Sequence, residues 1–424
     1  MTKLLLDWSR TPAPLEVVRA LRRSGHEAFL AGGCVRDLRL GLDPKDHDVA
    51  TSASPDEVRG VFRRTIPVQT ELGVTMVLWE DERIEVTTFR SEGEYLDGRR
   101  PSQVGPADAR LDVQRRDFTI NGLLLDPETG EIIDHVGGLD DLNAGILRCI
   151  REPTDRFEED HLRILRAVRF AVRFGFRIEA RTWEAMTNLS SKTGKLSGER
   201  IQEELSKMES QGNLSKSVQL LLDCGVLRAL CPDLDQALET AGSRKRLIDL
   251  LEAPIETHSG SWVTMLGMPL CPWWNAPAKP GGASNPAPYQ MEWLDRLRCS
   301  RAQTDGSLFV WSRWPTCWEQ PLPTPSRQAP LVRDRSWPLL AHLLSRYAST
   351  QPGSWSPFPH LSRLAETIPQ RLPSLGEAFL AAGIPKGPAL GEAIREADRL
   401  NLDLGLALDP SLVARVAETI LRRS

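Results

Sequence analysis

The stretch that decides the fold is Ala28-Phe29-Leu30-Ala31-Gly32-Gly33-Cys34-Val35-Arg36-Asp37, followed by Asp46-His47-Asp48-Val49-Ala50. Ala28–Ala31 reads as a short apolar strand that runs into a glycine pair, after which a helix begins. Glycines let the backbone come close to a ligand. A helix N-terminus adds free N–H groups and a positive dipole end, which suits a phosphate. Arg36 adds a charge-assisted contact to an anion. By itself the pattern also fits an ordinary strand-to-helix turn, and it is neither a Walker loop nor a GxGxxG fingerprint.

Asp46 and Asp48 sharpen it. In an extended chain residues i and i+2 point to one face, so both carboxylates meet one hard cation. Mg²⁺ takes oxygen ligands and uses one or two carboxylates plus substrate phosphates. A solvated acidic turn is the alternative. Val74–Trp79 and Ile84–Phe89 read as a hairpin. Within it Glu85, between Ile84 and Val86, is either a third ligand or a solvent-facing residue. Arg90–Gln114, with Gly93, Gly98, Pro101, Gly105 and Pro106, reads as a mobile loop. Arg115-Arg116-Asp117 and Asn121 then offer donors for phosphates and acceptors for ribose hydroxyls, or else a capped helix start.

From about Asp155 the texture becomes helical, and Arg156–Phe174 reads as one buried helix. Asp160 and Arg163, three apart, neighbour each other on it. A carboxylate accepts from an exocyclic amine and a guanidinium donates to ring acceptors. Cytosine and adenine present that pair of edges; uracil and guanine turn a carbonyl to the carboxylate. The pair therefore reads either as a protein template for C and A or as a salt-bridged helix face. Arg163, Arg166, Arg169, Arg173 and Arg177 step by 3, 3, 4 and 4, which places most of them along one helix stripe and fits a phosphate-contacting surface or a solvated face. Residues 254–360 are rich in Pro, Gly, Ser and Trp; the tryptophans argue against full disorder.

The 424 residues suffice for several domains, and the net charge of -4 excludes bulk basicity as a sign of nucleic-acid binding. No apolar run is long enough to span a membrane, and Leu4–Leu6 is too short for a signal-peptide core, so a cytoplasmic protein is expected. The seven cysteines lack CxxC spacing, which points to neither a zinc site nor a disulfide framework.

In order and spacing, GGCVRD, KDHDVATSASP, EVTTFRSEGEYLDGRRP, RRDFTINGL, RFEEDHLRILRAVRF and KLSGERIQEEL together resemble the bacterial class II tRNA nucleotidyltransferase and poly(A) polymerase family. GIPKGPALGEAI in the tail is similar too. The resemblance implies an α+β fold: a nucleotidyltransferase head with a small mixed β-sheet (1–146), followed by an all-α neck (147–208), body (209–360) and tail (361–424). It implies two Mg²⁺ ions on Asp46 and Asp48 and triphosphate binding by Gly32, Gly33 and Arg36. Nucleotide contacts fall to Arg116, Asp117 and Asn121, and nucleotide selection to Glu159, Asp160 and Arg163, with Arg166 beside them. Glu85 completes the expected catalytic set. The implied activity is template-independent addition of CCA to the 3′ end of tRNA from CTP and ATP. A-adding enzymes, poly(A) polymerases and a non-catalytic RNA-binding protein are the alternatives.

Overall fold

A computed structural model describes residues 3–4, 7–9, 12–69, 72–93, 104–252, 261–271, 274, 288–317, 324–349, 358–367, 375–404 and 408–422. The chain forms two compact units, Met1–Leu230 and Cys231–Ser424.

The first unit opens with α1 (Ala13–Arg23), β1 (Ala28–Ala31), α2 (Gly33–Arg39), β2 (Asp48–Thr51) and α3 (Pro55–Val61). Then come β3 (Thr65–Gln69), β4 (Val74–Trp79), β5 (Glu82–Thr88), β6 (Arg90–Glu92) and β7 (Val104–Pro106). The head closes with α4 (Ala109–Gln114), β8 (Leu123–Leu125), β9 (Ile132–Asp134), α5 (Gly138–Ala144) and β10 (Ile146–Leu147). Seven strands form one sheet in the order β3-β4-β5-β2-β1-β8-β9. Its pairs are antiparallel except for β2 and β5, so the sheet is mixed.

Local chemistry accounts for these elements. In α1, Val17, Val18 and Leu21 recur at helical spacing and are buried, with proline in the first turn and Arg22 and Arg23 at the dipole's negative end. Ser54 and Glu57 close a capping box that starts α3. The expected β4–β5 hairpin forms with a turn tighter than anticipated, because Trp79 pairs with Glu82 and leaves only Glu80 and Asp81 between them. One sheet face packs on α1 and α3. The other carries Ala31, Ala50, Phe89 and Leu124, which pack against Val113 of α4.

The segment 90–114 departs from a plain mobile loop. β6 and β7 pair as a ribbon and α4 follows, started by Asp108, whose side chain accepts from Leu111 N at 2.8 Å. Residues 94–103 of that expected loop lie outside the described residues.

The rest of the first unit contains α6 (Pro153–Glu159), α7 (Leu162–Phe174), β11 (Arg177–Ile178), α8 (Ala180–Leu189), α9 (Gly198–Ser210), α10 (Leu214–Asp223) and α11 (Val226–Leu230). It is helical apart from β11, which pairs with β10. The single helix expected over 156–174 is two helices. Asp160 leaves the helical region at φ -148° and ψ 105°, and its Oδ1 accepts from Leu162 N at 3.0 Å, so it opens α7 instead of continuing α6.

The second unit is all helix among the described residues. The tryptophan-rich segment is built into it: Trp262, Trp274, Trp293, Trp311 and Trp314 are buried. Their indole N–H groups are satisfied where the fold encloses them, Trp293 by Val263 O at 3.2 Å and Trp311 by Thr264 O at 3.1 Å. Trp273, Trp318 and Trp355 lie outside the described residues. A separate apolar cluster of Phe379, Ile384, Ala393, Val416 and Ile420 holds the C-terminal helices together. Among the described residues, no helix is long and apolar enough to cross a membrane.

Gly138 carries a testable consequence. A Cβ there would lie 2.2 Å from Thr119 O, a backbone atom with nowhere to move. Gly138→Ala is expected to lower stability by about 1–3 kcal/mol, as overpacking does. Thermal unfolding of the whole chain checks this; an unchanged midpoint would mean that α5 is not seated against Thr119.

Candidate active site

The cleft of the first unit is built where β1 stops. Gly32 has φ +75° and ψ -125°, a conformation that side-chain-bearing residues rarely adopt, so the strand turns here and α2 begins at Gly33. A Cβ on Gly32 would also lie 2.6 Å from Nη1 of Arg116. Gly32 is therefore the place where a guanidinium lies directly against the turn. Around it, Gly32, Gly33, Arg36, Asp48, Arg115, Arg116, Asp117, Asn121, Asp160, Arg163, Arg166, Arg169 and Phe170 line a cleft of about 410 Å³.

The carboxylates enter from the sheet. Asp48 is the first residue of β2 and pairs with Glu85 on β5, so their side chains share one face. Asp46 lies in the connection just before β2, not in the strand as the i, i+2 argument assumed. Burial raises the Asp48 carboxyl to about 6; Glu85 and Asp46 push the same way and Arg116 opposes them. Glu85 is raised as well, by burial and then by Asp46, with Arg90 opposing. Of the three, only Asp48 lines the cleft.

A divalent ion fits this donor set. Hard cations prefer oxygen ligands, and clustered carboxylates that raise one another's pKa are relieved by a positive charge. Among the described residues no three Asp, Glu, His or Cys side chains converge tightly enough to hold an ion alone. The chain thus supplies part of a coordination sphere, as expected where substrate phosphate supplies the rest. Nucleotidyltransferases of this kind use divalent metal ions.

The basic wall is held by buried acids. Asp112 is fully buried; it accepts from Arg115 Nε at 2.8 Å and Arg116 Nη2 at 3.1 Å. Burial alone would raise its pKa, but the two arginines outweigh it and hold it below the usual range. Arg116 Nε is buried and has no partner among the described residues, an orphaned donor on the cleft wall. Asp117 accepts from Arg166 Nη2 at 2.7 Å with one oxygen, and from Asn121 Nδ2 and Phe118 N, both at 2.9 Å, with the other. Burial opposes ionisation there too, yet Arg166 and Asn121 hold the acid well below the ordinary carboxylate range. Asn121 accepts in turn from Arg36, which is buried, bonded to Asp37 at 2.8 Å and packed over Phe170 and Phe174. Asp117, Asn121 and Arg36 thus satisfy one another before any ligand is considered.

The expected Asp160–Arg163 side-chain pair does not form, because the helix breaks between them. Asp160 is gripped by Arg200 of α9 at 2.8 and 3.1 Å. Arg163 bonds Glu159 at 2.7 Å and the Arg156 carbonyl at 2.9 Å. Asp160 and Arg163 still reach the same cleft, while Glu159 stands behind Arg163. The arginine stripe divides likewise: Arg163, Arg166 and Arg169 line the cleft, Arg173 pairs with Asp37 at 3.0 Å, and Arg177 sits exposed on β11. It is not a solvated face.

Several site residues escaped the sequence reading. Asp112 had a signal, its i+3 and i+4 spacing to Arg115 and Arg116. Arg156, buried and donating to Arg116 O at 2.7 Å, and Arg200 had none. Their partners lie about 40 residues away, a separation that periodicity does not reach.

Glycine turn, sheet-borne carboxylates and an arginine-lined wall together make the class of site suited to metal-assisted nucleotidyl transfer. Comparison with known proteins agrees. Residues 28–148 match the poly A polymerase head domain, and residues 175–238 match the probable RNA and SrmB-binding site of polymerase A. The CCA-adding enzyme of Enterococcus faecalis is 40% identical over 255 residues, 59% of this chain and 61% of that one. That of Bacillus subtilis is 43% identical over 203 residues, 48% and 51% of the two chains. The aligned part thus covers between half and two thirds of these relatives. The structure of the Bacillus stearothermophilus CCA-adding enzyme in complex with CTP superposes with a TM-score of 0.73 at 24% identity, over 96% of this chain and 97% of that one. The Thermotoga maritima enzyme complexed with tRNA(CCA) gives 0.70 at 21% identity, over 98% and 96%. These structures show a shared α+β fold with a helical C-terminal part. Residues 28–148 thus carry a poly A polymerase head domain, and the chain is similar to CCA-adding enzymes over about half of its length.

The raised carboxyl of Asp48 has a consequence for stability. An acid whose folded pKa exceeds its unfolded value of 3.8 keeps its proton in the folded chain up to about pH 6, so stability falls as pH rises through that window. Asp48→Asn is expected to raise the melting temperature at pH 8, with the difference from wild type shrinking as pH falls from about 6 to about 4 and vanishing below that. Millimolar Mg²⁺ should stabilise wild type and leave the variant unmoved. Equal responses of both chains to Mg²⁺ would place the ion elsewhere.

Proposed function

We propose that this chain is a CCA-adding tRNA nucleotidyltransferase, extending the 3′ end of tRNA from CTP and ATP with release of pyrophosphate. The observation that carries the reading is the row formed by Asp48 and Glu85 at the mouth of a cleft whose opposite wall is arginine. The kinship with CCA-adding enzymes supports it. We infer Mg²⁺, as two ions, held by Asp46 and Asp48 with Glu85 beside them. When bound, such ions lower the pKa of the attacking hydroxyl and neutralise the leaving pyrophosphate.

The chain's own residues do the rest. The backbone N–H of Gly33 and the guanidinium of Arg116 receive the triphosphate, while the Gly32 N–H donates to Leu123 O at 3.0 Å and so fixes the turn, which Arg36 shapes from behind. Arg116, Asp117 and Asn121 form the wall against which the sugar lies. Asp160 and Arg163 read the base edge, each kept at a fixed angle by Arg200 and Glu159, while Arg166 fixes Asp117. The RNA 3′-hydroxyl attacks the α-phosphate, a new P–O bond forms, and the bond to the β-phosphate oxygen breaks. Asp46 or Asp48 assists removal of the hydroxyl proton. Residues 1–146 are the catalytic head, 147–208 the neck, and 209–360 and 361–424 the body and tail that hold the acceptor end by shape and backbone charge. The place of action is the cytoplasm.

Purified chain with Mg²⁺ and tRNA transcripts ending before CCA or after CC, supplied with CTP and ATP separately and together, tests this at single-nucleotide resolution. Two C and one A, then arrest, is the expected product. A alone on the CC-ended transcript would make it an A-adding enzyme, and long A tails a poly(A) polymerase. No product on any RNA overturns the reading. In the same assay Arg163→Ala is expected to admit UTP and GTP and to slow CTP and ATP by about 10²-fold, the scale of one lost positioned donor.

A further inference from the structure

We propose that Arg156 is a positioning residue that couples recognition of the incoming base to the grip on its triphosphate; the inference rests on the nucleotidyltransferase reading above. Arg156 lies on α6, is 1% exposed and does not line the cleft, so it acts only through its neighbours. Its guanidinium has two sets of partners. Nη2 donates to the Arg115 carbonyl and, at 2.7 Å, to the Arg116 carbonyl. Nη1 donates to Oε2 of Glu159. That same oxygen accepts from Arg163 Nη1 at 2.7 Å, and Arg163 Nη2 reaches the same Arg115 carbonyl at 3.5 Å. The bonds close a ring that runs from Arg156 through Glu159 and Arg163 to the Arg115 carbonyl and back.

The ring joins two tasks. Arg163 faces the cleft beside Asp160, where the base edge is read. The backbone at 115–117 carries Arg116, whose guanidinium lies against the Gly32 turn, and Asp117, the acid of the sugar wall. Arg156 and Arg163 are like charges held by one carboxylate oxygen, so neither shifts without changing the bonds of the other. An arginine suits this post because its planar fork reaches a carboxylate with one nitrogen and two carbonyls with the other; a lysine ammonium is a single point.

The base acts on this ring through Arg163. Adenine offers an unprotonated ring nitrogen beside its amine. Guanine offers an N–H in the same place, which a guanidinium, having donors alone, cannot bond. A matched base thus keeps Arg163 where the ring is closed. A mismatched base turns it away, Arg156 loses its alignment, and the 115–117 backbone slackens behind Arg116. Discrimination then falls on the chemical step, since a reacting group misplaced by about 1 Å reacts about 10²-fold more slowly.

The test is steady-state addition of ATP or GTP to a CC-ended tRNA transcript at saturating RNA, with kcat and KM taken for each nucleotide. In the wild-type chain the preference for ATP is expected in kcat more than in KM. Arg156→Lys, which keeps the charge, is expected to lower kcat for ATP by about 10²-fold while KM for ATP stays within about twofold and kcat for GTP within about threefold. Glu159→Ala opens the same ring from a less buried position and is expected to give the same pattern, so the test stands even where thermal unfolding shows that Arg156→Lys has lost its fold. A wild-type preference that resides in KM alone overturns the proposal without any variant. An equal fall in kcat for both nucleotides overturns it by making Arg156 a structural buttress, and so does an effect confined to KM; each leaves the function standing. A wild-type chain that extends no RNA overturns both.

Discussion

Asp117 and Arg166 join two parts of the first unit that sequence separates by 49 residues, and much of the site follows from that pair. Asp117 is buried, so its charge is tolerated only because Arg166, Asn121 and a backbone N–H surround it. Removing one partner of such a pair leaves an uncompensated buried charge, on the order of 3–5 kcal/mol. Through Asn121 the constraint reaches Arg36 and α2; through Arg166 it reaches α7. The glycine turn and the neck helix are thereby held on two sides of one cleft.

The same logic repeats around the cleft: an acid with no room for a ligand of its own holds a base that has room. Asp112 holds Arg115 and Arg116, Glu159 holds Arg163, and Glu204 of α9 holds Arg169 at 2.6 Å. For Asp160 the order is reversed, with Arg200 behind an acid. A side chain locked in this way loses little further freedom when it meets a nucleotide, which is what preorganisation requires. Charge alone would not have done so, since a flexible arginine surrenders much rotamer entropy on binding.

The sequence made the fold legible where local chemistry is strong. β1, the Gly32 turn, β2 and the β4–β5 hairpin follow from apolar runs, glycine and turn spacing. The break at Asp160 was hidden, because the apolar pattern runs straight through it. A carboxylate that caps the next helix breaks a helix as surely as proline does, yet leaves the periodicity intact. The 90–114 segment was misjudged for a related reason: its glycines and prolines mark irregular backbone, but a two-stranded ribbon needs only a few residues at either end. The cleft residues named from sequence mostly converge, since their motifs sit at strand and helix ends. The residues that hold them, Asp112, Arg156 and Arg200, act across distances where only the folded chain brings partners together.

The carboxylate row shows why a site of this kind is both costly and readable. Glu85 and Asp48 share a face because the one parallel pair of the sheet puts them in register, and burial then raises both acids. A fold selected for stability alone would place an amide or an alcohol at one of these positions. Two adjacent acids on a half-buried sheet face repel each other, and a cation between them would turn that repulsion into shared attraction. The arginines opposite obey the complementary rule: they are tied to acids from behind and turned toward the cleft in front. An arrangement with negative charge on the sheet and positive charge on the helices would select the metal-bound polyanion of the proposed reaction. That selection arises from where the chain places its charges and not from its net charge, which is slightly negative.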